Sequence, residues 1–286
     1  VPFPDALTGD PTLRGELMLP TEICSSLPAL SESAYKKRRG TVTVFAGERG
    51  KAGAAMLASE AALAARAGLV HLIVDTELYS SVASAEKAVM VHPRSEAWER
   101  EPSYECLLVG CGWGVSLHRR ILLPRLLGSS IRGVVDADGL NLLATMPRRP
   151  LGNDWVLTPH IGELARLLQC STSEVSGDLV ETTIEAAKAW QCVVVGKSHV
   201  VAIASPDGDH LVVDGMNTAM GTGGSGDVLA GIVAGLLANG MSGIDAARYG
   251  VGLHQRAGSL LREHAGFFSA DRLVLQVAKL SDRPGE

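Results

Sequence analysis

The chain has 286 residues, of which 46% are hydrophobic and 20% charged, a balance that excludes a disordered or low-complexity polymer and leaves room for a buried core. With 26 basic against 31 acidic residues the net charge is −5, and the densest basic run is Lys36-Lys37-Arg38-Arg39, read as a solvated loop, so no nucleic-acid partner is expected. No apolar stretch reaches the about 18 residues of a membrane helix, and the five cysteines form neither a CxxC pair nor zinc spacing, as expected of reduced thiols in the cytoplasm.

Residues 1–34 carry Pro2, Pro4, Pro11, Pro20 and Pro28 without a sustained period, which predicts a linker or N-terminal arm. From residue 35 to 286 the pattern is that of one α/β domain. Predicted strands are Thr41–Phe45, Leu69–Val74, Cys106–Val109, Gly133–Asp136, Trp155–Thr158, Cys192–Val195, Val200–Ala204 and His210–Val213. Predicted helices are Ala52–Ala67, Leu117–Leu127, Ile161–Leu168, Leu179–Ala189, Asp227–Ala238, Gly243–Glu263 and Ser269–Leu280. Strands alternating with helices mean crossover units and a mostly parallel sheet. The first five predicted strands are apolar on both faces, as a sheet covered by helices on each side requires.

In such a sheet ligands gather beyond the carboxyl ends of the strands. The polar or glycine-rich segments there are Gly47–Gly53, Gly110–Gly114, Asp136–Asp138, Thr158–His160, Gly196–Ser198 and Asn217–Asp227. The strongest is Met220-Gly221-Thr222-Gly223-Gly224-Ser225-Gly226-Asp227, which leads straight into an apolar helix. Main-chain amides of such a turn, with the positive end of the helix dipole, can hold a phosphate. Asp227 there would be kept ionised and could take a proton from a substrate hydroxyl attacking that phosphate; a plain capping role is the alternative. Gly221 to Gly226 formally satisfies GxGxxG, but no strand runs directly into the first glycine, which argues against a dinucleotide fingerprint, and no Gly-Lys-Ser/Thr follows, as a Walker loop requires.

Other residues carry two readings each. His160 follows a strand and could touch a polar ring, or be a buried hydrogen-bonded histidine. Lys197 could face an anion, or be a surface charge. Asp136 and Asp138 could hold Mg²⁺ through water, or cap a helix at Leu140–Leu143. Cys111 lacks a nearby His and is not read as a nucleophile. His254 and His264, ten residues apart in a helical pattern, are read as structural, and His71 as a satisfied core residue.

Four ordered motifs, Val109-Gly110-Cys111-Gly112-Trp113-Gly114, Val135-Asp136-Ala137-Asp138-Gly139-Leu140-Asn141, Leu157-Thr158-Pro159-His160-Ile161-Gly162-Glu163 and Asn217–Leu229, together resemble the nucleotide-dependent NAD(P)H-hydrate dehydratase family of the ribokinase-like superfamily. The resemblance covers roughly residues 36–280. It implies a three-layer α/β/α fold and a repair reaction: the ring hydroxyl of hydrated NADH or NADPH is phosphorylated by ADP or ATP, and loss of phosphate restores the nicotinamide double bond. It further implies that Ala54, Gly112 and His160 touch the hydrated dinucleotide together with Asp227, the base. Lys197, Ser198, His199, Val200 and Val201, with Thr222, Gly223, Gly224, Ser225 and Gly226, would hold the adenine nucleotide, and Mg²⁺ would bridge its phosphates.

Similar proteins usually read Lys-Gly-x-x-Thr where this chain has Lys197-Ser198-His199-Val200-Val201, so nucleotide contacts there are expected to be main-chain ones. The resemblance also implies a homo-oligomer, a tetramer in similar proteins. Val1–Leu7 resembles the junction after the epimerase half of bifunctional members, which predicts a preceding or associated epimerase domain. Two alternatives share the Gly-Ser-Gly-Asp element: a kinase of a small vitamin-precursor alcohol, and a nucleotide sensor without turnover.

Overall fold

Ten short, mostly aliphatic segments pair into a single sheet in the computed structural model, which describes residues 15–30, 38–100, 103–215 and 217–282. They are β1 (Gly15–Met18), β2 (Thr41–Phe45), β3 (Leu69–Val74), β4 (Met90–Pro93), β5 (Cys106–Val109), β6 (Gly133–Val135), β7 (Trp155–Leu157), β8 (Val193–Lys197), β9 (Val201–Ala204) and β10 (His210–Val213). The order across the sheet is β1-β10-β9-β8-β7-β6-β5-β2-β3-β4. Only β9 runs against the others. The chain moves outward from β2 to β4 on one side and from β5 to β8 on the other, so β2 and β5 flank the switch point where open α/β sheets bind ligands.

Among the described residues, twelve α-helices cover the two faces: α1 (Pro20–Ser25), α2 (Ala52–Ala64), α3 (Tyr79–Ala85), α4 (Glu96–Glu99), α5 (Leu117–Gly128), α6 (Ala137–Leu143), α7 (Ile161–Leu168), α8 (Thr172–Gly177), α9 (Leu179–Trp190), α10 (Ser225–Ala238), α11 (Gly243–Ala265) and α12 (Ala270–Asp282). One core lies under α2, α10, α11 and α12 and the other under α5, α6, α7 and α9. Both faces of the central strands are buried, hence their unbroken Val and Leu runs. The three layers agree with the expected architecture.

The predicted elements recur with ends shifted by a few residues; four short ones beyond residue 35 (β4, α3, α4 and α8) were not anticipated, and α6 was anticipated only in the capping reading of Asp136 and Asp138. Within the stretch read as a linker or arm, β1 pairs with β10 and α1 packs on α11. Residues Val1–Leu7 lie outside the described ones, as do Lys36 and Lys37. Arg39 of the basic run is not simply solvated: it is half-buried and donates to the carbonyls of Arg66 and Ala67, just past α2.

The contact that fixes the site is between α2 and α10. Gly231 and Gly235 face Ala58, Ala61, Ala62 and Ala65, and a methyl group on either glycine would overlap a carbonyl oxygen of α2. Alanine at 231 would gain about 1 kcal/mol in helix propensity, but backbone cannot rotate aside as a side chain can. We therefore expect Gly231→Ala to lower stability by a net ~2 kcal/mol in urea denaturation. An unchanged midpoint would mean that the two helices separate freely.

Candidate active site

The loops after β2 and β5 meet at the switch point, where the Gly47 amide donates to the Cys111 carbonyl at 3.0 Å. Gly112, at φ +58°, lies so close to α2 that a Cβ there would stand 2.8 Å from Lys51 Cβ and 3.1 Å from Ala54 Cβ. The two residues expected to touch one substrate, Ala54 and Gly112, are thus neighbours. Lys51 is pinned by Glu48 at 2.8 Å and by Asp138 at 3.1 Å, and Asp138 also accepts the Gly114 amide at 2.7 Å. Asp138 therefore ties two loops together rather than capping α6.

Asp136, at the turn from β6 into α6, makes no side-chain capping bond either. Its buried Oδ1 accepts the Thr158 hydroxyl at 2.7 Å and the Lys197 ammonium at 2.8 Å. This excludes Lys197 as a surface charge: its side chain is 19% exposed and that of Asp136 only 3%. Burial opposes the lysine's charge, but the carboxylates of Asp136 and Glu163 outweigh it and raise its pKa above the ordinary value.

The first turn of α10 completes the cluster. Gly224 is the N-cap at φ +93°, and Ser225, Gly226 and Asp227 are the first three helical residues, whose N–H groups have no intrahelical acceptor. A Cβ at Gly226 would be 3.3 Å from Lys197 Nζ, so the lysine lies beside the loop. Donor atoms of Cys111, Asp136 and Asp227 lie within 4.8 Å of one another. Burial, then the charge of Asp136, push the Asp227 carboxyl up to about 7, against the lowering effects of the Cys111 thiol and Lys197. The helix terminus expected to keep this carboxyl ionised does not offset its desolvation beside a second carboxylate. A value near 7 suits a general base better.

His160 lies three residues past the end of β7 and is the N-cap of α7. Its Nδ1 accepts the amides of Gly162 and Glu163, and Glu163 in return accepts the His160 amide at 2.9 Å. The ring is 55% exposed, which excludes a buried histidine. Burial of part of the ring, then Lys197 and Arg166, lower its pKa and favour the neutral form. Ser198, His199 and Val200 form the turn between β8 and β9, with the Ser198 amide bonded to the Val200 carbonyl at 3.0 Å. Val201 is buried in β9, so only its main chain can reach a ligand. Thr222 and Gly223 precede α10, with the Thr222 carbonyl accepting the Ser225 amide at 3.3 Å.

The structure gives three residues contacts that the sequence reading did not assign. Thr158 holds Asp136; Glu163 is buried, with its carboxyl raised to about 7 by burial and Asp136. His254, read as structural, is a buried residue packed against α10, its Nε2 at 2.9 Å from the Ser225 carbonyl. Burial holds it down at about 4, so it is neutral and donates. Asp136 and Thr158 directly follow adjacent strands, a signal that could have paired them.

A family model described as NAD(P)H-hydrate dehydratase matches residues 42–279. The bifunctional NAD(P)H-hydrate repair enzyme Nnr of Coxiella burnetii is 35% identical over 243 residues, 84% of this chain and 49% of that protein. The chain thus spans about half the length of the bifunctional relatives it matches. The ADP-dependent (S)-NAD(P)H-hydrate dehydratase of Neisseria meningitidis is 32% identical over 244 residues, 83% of this chain and 82% of that protein. A ribokinase-like superfamily protein of Enterococcus faecalis superposes with a TM-score of 0.84 at 21% identity, covering 95% of this chain and 96% of that one, so the fold is ribokinase-like.

Proposed function

This chain belongs to the NAD(P)H-hydrate dehydratase family, and on that premise we propose that it converts hydrated NADH and NADPH back to the reduced dinucleotides at the expense of an adenine nucleotide. The observation that carries the reading is Asp227: a carboxyl with a pKa of about 7, in the first turn of α10, beside a lysine and the switch-point loops. The family match favours this over the vitamin-alcohol kinase and the sensor.

Asp227 takes the proton of the ring hydroxyl as that oxygen bonds to the terminal phosphorus of the nucleotide, whose bridging oxygen departs with the electron pair. The amides of Gly223 to Gly226, the helix dipole and Lys197 stabilise charge on the transferring group. Phosphate then leaves the ring carbon with the C–O electron pair, the adjacent carbon gives up its proton to water, and the electron pair of that C–H bond forms the C=C bond. Ala54, Gly112 and His160 seat the hydrated ring, and the turn at Ser198 to Val201 meets the nucleotide through its main chain. ADP, named for the Neisseria relative, is the donor we expect, with ATP the second choice.

Mg²⁺ finds no dedicated cage among the described residues. Asp136 Oδ1 is taken by Thr158 and Lys197, and its Oδ2 faces the Cys111 thiol at 3.9 Å, a donor set unlike the all-oxygen shell Mg²⁺ takes. Mg²⁺ would therefore be brought by the nucleotide, whose phosphate charge it would offset.

We further propose that the protein acts in the cytoplasm as a homo-oligomer and alongside an epimerase. No helix among the described residues is long and apolar enough to cross a membrane. The function is tested by incubating the chain with hydrated NADH or NADPH and ADP, then ATP. Recovery of reduced-nicotinamide absorbance with stoichiometric phosphate release is expected. A phosphorylated product that accumulates without recovery would instead make the protein a kinase.

A further inference from the structure

Away from the candidate active site, at the β4 edge of the sheet, two histidines meet. His71 on β3 and His92 on β4 lie one pleat apart, since His71 pairs with Met90 and Ile73 with His92. His71 Nδ1 and His92 Nε2 are 3.0 Å apart, with ring centroids at 5.2 Å. Trp98 of α4 lies against both rings, its centroid 5.3 Å from His71 and 4.6 Å from His92. Both imidazoles are half-buried and so open to solvent on one side.

We propose that His71 and His92 form a two-imidazole site for a borderline transition-metal dication of the Cu²⁺, Ni²⁺ or Zn²⁺ class, held by His71 Nδ1 and His92 Nε2 and completed by water. Neighbouring ligands at about 2.0–2.1 Å from such an ion are roughly 2.8–3.4 Å apart in square-planar or tetrahedral geometry, and the two nitrogens already stand within that interval. The backbones are fixed by the β3–β4 ladder, so little ordering entropy opposes capture. Binding moves the proton now between the rings to the far nitrogen of the ring that carries it, without net proton release. The nearest acid in sequence to Trp98, Glu99, is engaged by His118 at 3.0 Å and Arg94 at 3.9 Å, which leaves imidazole as the defining donor.

This site stands or falls independently of the dehydratase reading. The tag-free full chain is titrated with Cu²⁺ while tryptophan fluorescence is followed, since Trp98 touches both ligands. Saturable quenching at one equivalent is expected, weakened at least tenfold in His92→Gln and in His71→Gln and unchanged in His118→Gln. Quenching that is absent, or equal in all four proteins, overturns the site. Electron paramagnetic resonance of the wild-type one-to-one complex needs no variant to fold. Superhyperfine structure from two imidazole nitrogens supports the assignment, whereas one nitrogen, none, or a copper–thiolate signature refutes it.

Discussion

Replacing Asp227 with Asn should lower turnover about a thousandfold while leaving adenine-nucleotide affinity nearly unchanged, because a positioned base typically contributes about 10²–10⁴-fold in rate and the amides of Gly223 to Gly226 remain. The same substitution should stabilise the protein. A carboxyl raised from 3.8 to about 7 on folding binds its proton more tightly in the native state, so stability falls as pH rises between those two values. Above pH 7 the full penalty, an upper figure of roughly 4 kcal/mol, is present, and below about pH 4 it is gone. The Asp227→Asn protein should therefore melt above the wild type at about pH 8, with the difference shrinking toward about pH 4. The wild-type kcat/KM should rise with pH through about 7, and the variant's residual rate should not. A variant with wild-type turnover would remove Asp227 from the chemistry.

Lys197→Met should be the most destabilising single change at the site. It strands the Asp136 carboxylate, 3% exposed, without its cation, and breaking a buried pair from one side typically costs about 3–5 kcal/mol. Thr158 alone cannot compensate that charge. The loss also removes an influence that holds the Asp227 carboxyl down, so the acidic limb of the rate profile should move to higher pH. Turnover should fall about a hundredfold through lost transition-state stabilisation. The double variant Lys197→Met, Asp136→Asn should regain most of the stability and none of the rate. Urea midpoints and pH profiles of the three proteins decide this, and additive stability losses would contradict a direct pair.

The parts of the molecule legible in the sequence are those governed by local pattern. The largely apolar runs of β2, β3 and β5 and the Gly-Ser-Gly-Asp turn into α10 carry their structure in neighbouring residues. What escaped depends on contacts between distant segments. Asp136 could be seen to end a strand, yet nothing local shows that its partner is Lys197, 61 positions away. His254 lies mid-helix in α11, and only the crossing of α11 over α10 brings it to Ser225. β4 was missed because an edge strand of one exposed and three half-buried residues, ending in proline, has neither an apolar run nor a clean alternation. The ionisation of Asp227 was misjudged for a similar reason: the helix terminus is local, while the opposing carboxylate arrives from β6.

Because α2 and α10 touch main chain to main chain at Gly231 and Gly235, the regions open to anyone redesigning donor preference are unequal. Variation introduced along that seam would pry apart the scaffold before it altered recognition. The turn at Ser198, His199 and Val200, whose side chains are not buried, is where a combinatorial library can be broad without unfolding its members.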